Sequence, residues 1–117
     1  METCHRNCNM TKYNTSQLPA KASRAFLDRL KKDNIKLTDD YLVLKLTEEL
    51  GEFVQSYLVH KKRCRPVKYL SAADSKRALS KELADVLGII FVIAKTLKIN
   101  VEEALIKKWI TKEWLKK

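Results

Sequence analysis

Glu48, Glu49 and Glu52 lie within the stretch L-T-E-E-L-G-E-F-V-Q. On a helix, neighbours at i,i+3 and i,i+4 share a face, so this spacing crowds three negative charges onto one patch. Glu82 and Asp85, in S-K-E-L-A-D-V-L, repeat the pattern at i,i+3 among Leu79, Leu83, Val86, Leu87, Ile89, Ile90, Phe91, Val92 and Ile93. Local cations are scarce. Lys45 can reach Glu48 or Glu49, but Glu52 looks back on Glu48 and Glu49, and Glu82 looks forward to Asp85 and Val86. A solvated helix face alternates in sign; these acids stay unpaired beside apolar runs. A hard divalent cation with oxygen ligands neutralises such a cluster, and magnesium in particular combines a few carboxylates with waters and substrate phosphates.

Helices must hold these acids. The 117-residue chain has only two glycines and two prolines, which favours all-α structure with short connections in a single domain. Residues 1–15 are polar and aperiodic and read as a flexible arm, leaving 16–117 as the domain. Leu18, Ala22, Ala25, Phe26, Leu27 and Leu30 recur at helical spacing from Ser16 to Lys32, and Asp33-Asn34 ends that helix. Thr38 or Asp39 caps a second helix, which carries the first acids and runs to about Lys61. Pro66 breaks the basic run H-K-K-R-C-R-P-V-K, residues 60–68.

The third helix starts from the caps between Ser71 and Ser75 and continues to about Lys98. Apolar almost all round from Val86 to Ala94, it is expected at the centre, with Gly88 permitting close approach of another helix. Asn100 with Glu103 reads as a cap for a last helix from Val101 to about Leu115. One chain has too few elements to cover the third helix, and Trp109 and Trp114 suggest an interface, so at least a homodimer is expected.

Lys and Arg number 24 against 14 Asp and Glu, a net charge of +10 that points to polyanionic partners without choosing among nucleotides, nucleic acid and anionic membrane. No apolar run approaches the ~20 residues of a membrane span, and no signal peptide is recognisable, so a cytoplasmic protein is expected. The odd cysteine count, Cys4, Cys8 and Cys64, agrees with a reducing compartment. His5 between the first two, and His60 four residues before Cys64, have spacings that also permit zinc; a metal role and free thiols both stay open.

E-E-x-x-E followed by E-x-x-D, with Glu48, Glu49, Glu52, Glu82 and Asp85 in those places, resembles the signature of the MazG-like all-α nucleoside triphosphate pyrophosphohydrolases. The likeness extends from about Tyr41 to Trp109, through Gly51 and E-L-A-D-V-L-G-I-I-F-V-I-A-K-T-L-K-I-N-V-E-E-A-L-I-K-K-W. It implies a four-helix bundle-like MazG-type fold, completed by dimerisation or as a homotetramer. It also implies magnesium, with manganese as a substitute, and cleavage of a (d)NTP to the monophosphate and pyrophosphate. Glu49, Glu52, Glu82 and Asp85 are then the metal ligands. Glu48 binds a second ion or accepts the proton of the attacking water. Lys108 and Lys112 contact phosphate, although Lys112 stands where many relatives have asparagine.

Two alternatives remain. One is a basic helical nucleic-acid or partner-binding module whose acids are structural, although the unpaired carboxylates make nucleic acid the less expected partner. The other is a related superfamily enzyme acting on dUTP or a phosphoribosyl nucleotide.

Overall fold

The computed structural model describes residues 17–115, so the arm at 1–15 and Cys4, His5 and Cys8 lie outside the described residues. Helices α1 (Leu18–Lys32), α2 (Asp39–His60) and α3 (Ala72–Thr96) are followed by the short α4 (Val101–Leu105); no strand occurs among the described residues. The all-α expectation is met. Both α1 and α2 pack on α3. That arrangement explains the apolar sequence of α3, whose Val86, Ile89, Val92 and Ala94 form the buried core with Leu30 of α1 and Leu42 of α2.

Local chemistry sets the helix boundaries. Thr38 Oγ1 accepts the Tyr41 N–H at 3.0 Å, and Ser71 Oγ accepts the Asp74 N–H at 3.1 Å. The C-termini share one device. Asn34, Lys62 and Lys98 take φ of 58°, 56° and 58°, and the next residues, Ile35, Arg63 and Ile99, donate N–H to Leu30, Leu58 and Ala94 at 2.9, 2.8 and 2.8 Å. Each is a Schellman closure made without glycine, so the left-handed residue carries a Cβ cost of ~1–2 kcal/mol in the two lysine cases. His60 ties the end of α2 to the start of α3. Ser75 Oγ donates to the Ala72 carbonyl at 3.1 Å, which leaves His60 Nδ1–H as the donor across the 2.8 Å contact to that hydroxyl.

Two expectations are corrected. The last helix is not continuous to Leu115: after α4 the chain widens into a π-helical turn (Ile106–Ile110), breaks at Thr111–Lys112 with Lys112 left-handed at φ 58°, and closes in a 3-10 turn (Glu113–Leu115). Its cap is as expected, Asn100 Oδ1 accepting the Glu103 N–H at 3.0 Å. What is missing is a packing surface. Trp109 and Ile110 are 69% and 71% exposed, and short helices draw most of their stability from tertiary burial. At Gly88 no other helix comes close among the described residues; a Cβ there would meet nothing within 4 Å.

Candidate metal centre

The acids of α2 and α3 meet where those helices pack. Oxygens of Glu48, Glu49 and Glu52 lie within 4.8 Å of one another, and so do those of Glu49, Glu82 and Asp85. Glu49 belongs to both groups and is only 8% exposed, whereas Glu48, Glu52 and Asp85 face solvent. The helical spacing thus brings all five sequence-identified acids into one place, with Glu49 as the hinge between the two helices.

Charge compensation is incomplete. Lys45 Nζ contacts Glu48 Oε1 at 2.6 Å and Glu49 Oε1 at 3.6 Å. Glu49 Oε2 and Glu82 Oε2, both buried, have no hydrogen-bond partner. Burial first, and then the neighbouring charge of Glu52, pushes the Glu49 carboxyl above its usual range. The same two causes, in the same order, raise Glu82, with Asp85 adding to them. Lys45 is shifted up as well, chiefly by its hydrogen bond to Glu48. Leaving a buried carboxylate oxygen unpaired costs more than an ordinary missing hydrogen bond, and a cation placed among these oxygens would offset that cost. Oxygen-only donors in this number fit a hard divalent ion.

A cleft opens on each side of the acids. The first, about 270 Å³, lies between α1 and α2 above α3; Phe26, Arg29, Lys45, Glu49, Asp85 and Gly88 are among its walls. The absent side chain at Gly88 helps to keep this cleft open. The second, about 540 Å³, has Glu52, Glu82, Cys64 and Lys68 among its walls. Lys68 is the residue of the basic run that reaches the acids' neighbourhood in this way. Lys61 and Lys62 instead sit over the rings of Tyr57 and Tyr69, at 6.0 and 5.1 Å.

No family model, curated protein or solved structure matches the chain.

Lys108 and Lys112 line neither cleft beside the acids; they lie in the segment beyond α4. Arg29, which the sequence reading passed over, does line one. Its register on α1, one turn from Phe26 and Ala25, was the available signal, but a basic residue near a helix C-terminus is explained equally well by the helix dipole. Among the described residues, the groups able to hold a metal contain only acids, so His60 and Cys64 join none of them.

Proposed function

We propose that the chain is a divalent-metal-dependent nucleoside triphosphate pyrophosphohydrolase of MazG-like type that works in the cytoplasm, with magnesium as its ordinary ion and manganese as a substitute. The observation that carries this reading is the pair of buried, unpartnered oxygens, Glu49 Oε2 and Glu82 Oε2, within a five-carboxylate cluster beside two open clefts. A merely structural acid cluster gains nothing by burying oxygens without donors. Glu49, Glu52, Glu82 and Asp85 hold the ions, which when bound neutralise the phosphate chain and activate water.

Phosphoryl chemistry needs in-line positioning and charge neutralisation more than covalent help from protein. Glu48, exposed and already hydrogen-bonded to a lysine, accepts the proton of the attacking water. Water adds to the α-phosphorus, the bond from that phosphorus to the α,β-bridging oxygen breaks, and pyrophosphate leaves carrying that oxygen. The sequence contains no Gly-rich phosphate loop of the kind that serves γ-phosphate cleavage. Hydrolysis in oxygen-18 water tests the assignment: label is expected in the monophosphate, and label confined to pyrophosphate or orthophosphate overturns it.

The working form is a homodimer or homotetramer. Val43, Leu50 and Val54 on α2 and Leu83 and Leu87 on α3 are all exposed, at spacings that form stripes along helices already packed on their other sides. No helix among the described residues is long and apolar enough to cross a membrane, and we read these stripes as surfaces for a second copy of the chain.

A further inference from the structure

Lys45 stands at the junction of two tasks. Its ammonium neutralises Glu48 and Glu49, at 2.6 and 3.6 Å, and its side chain also lines the first cleft, which Arg29 enters from α1. Divalent charge held by Glu49 would repel the ammonium from where it now lies. A lysine has four rotatable methylenes, so the displaced group has somewhere to go, and the nearest open space is the cleft. There Arg29, which makes no ion pair among the described residues, contributes a second positive charge.

We propose that Lys45 serves in turn as the counter-ion of the metal-free acids and, once metal is bound, as a phosphate ligand acting with Arg29 across the first cleft. The proposal rests on the metal-dependent reading of the acids and adds the groups that take the outer phosphates. It gives the substrate's polyphosphate chain cations from α1 and α2, in place of the lysines beyond α4. It also sets a sequence of binding: phosphate is held well only after metal has released Lys45, so metal precedes nucleotide.

A counter-ion and a phosphate ligand leave opposite signatures in one variant. In Lys45→Gln, Mn2+ titrated without nucleotide and followed by electron paramagnetic resonance should bind on the order of tenfold more tightly, because a competing cation is gone. The same variant, saturated with Mg2+ and titrated calorimetrically with inorganic tripolyphosphate, should bind on the order of tenfold more weakly, the scale of one lost charge-assisted contact. Arg29→Ala should weaken tripolyphosphate alone, Lys45→Arg should restore both constants towards wild type, and Lys108→Ala should change neither. Circular dichroism checks that each variant is folded. If Mn2+ fails to bind the wild-type chain, the metal reading itself falls and this proposal with it. If Mn2+ binds and nucleotide is hydrolysed, but Lys45→Gln moves the two constants in the same direction or not at all, only the role of Lys45 is overturned.

Discussion

Glu49 and Glu82, on neighbouring helices, present carboxylate oxygens within 4.8 Å of each other, and the Oε2 of each is buried without a hydrogen-bond partner. Two helices that pack through their acids in this way have a metal-free state that is electrostatically unfavourable, and the expected behaviour of the protein follows from it.

Turnover should depend on the ligands far more than stability does. Glu52→Gln or Asp85→Asn is expected to lower nucleotide hydrolysis by on the order of 100-fold or more at saturating Mg2+. The far-ultraviolet circular dichroism should stay that of the parent. Near wild-type rates in either variant would remove that residue from the metal site.

The metal-free protein should lose stability as pH rises. The Glu49 and Glu82 carboxyls are raised in the fold, so the folded chain holds protons that the unfolded chain has released. Their contribution is complete below the ordinary glutamate value of about 4.3 and declines as pH climbs through the elevated folded values. Urea titrations between about pH 4 and 8 in chelator should show that downward trend, and saturating Mg2+ should flatten it. A metal-free stability that increases over the same interval would contradict the buried, unpaired state of these groups.

Removing the repulsion should also stabilise. Glu82→Gln, close in shape and free of charge, is expected to raise the melting temperature of the chelated protein by several degrees, at roughly 4–8 °C per kcal/mol for a domain of this size. In excess Mg2+ the same variant should lose that advantage, because the wild type gains its ion.

The left-handed lysines offer a gain unrelated to the site. Lys62→Gly and Lys98→Gly each relieve a Cβ in a conformation that glycine adopts freely, and each is expected to add about 1 kcal/mol. Urea midpoints should shift upward with an unchanged slope. A loss of stability would mean that the Schellman closures at these ends contribute less than glycine's extra freedom in the unfolded chain.

Light scattering at micromolar concentration should give at least twice the chain mass of 13.6 kDa. Val54→Glu, on the exposed stripe of α2, should shift the protein to one chain mass. A wild-type monomer, with or without nucleotide, counts against assembly through these faces.

Much of the local architecture was legible in the sequence. Asn100 announced its helix start, and Thr38 and Ser71 stood among the few caps on offer for theirs, because a cap is a short-range hydrogen bond, fixed by residues three apart. The acids were legible as a patch because helical periodicity assigns faces. Depth was not: spacing alone could not tell that Glu49 is buried while Glu48 and Glu52, on adjoining turns, are exposed. Gly88 was ambiguous for the same reason, since a missing side chain fits a close contact and an open cleft equally well. Arg29 required knowing how α1 lies against α3. The segment after Leu105 has helix-forming residues throughout, but a helix also needs a surface, and none of the three long helices packs on it extensively.

Both tryptophans of the chain, Trp109 and Trp114, belong to that segment, and the α1 to α3 core contains none. Intrinsic fluorescence therefore reports on a tail with its own, lower opening free energy, while ellipticity at 222 nm reports on the core. The two denaturation curves should separate in the unassembled chain. They should coincide only when another surface covers the tail, which turns the indole emission into a built-in indicator of assembly.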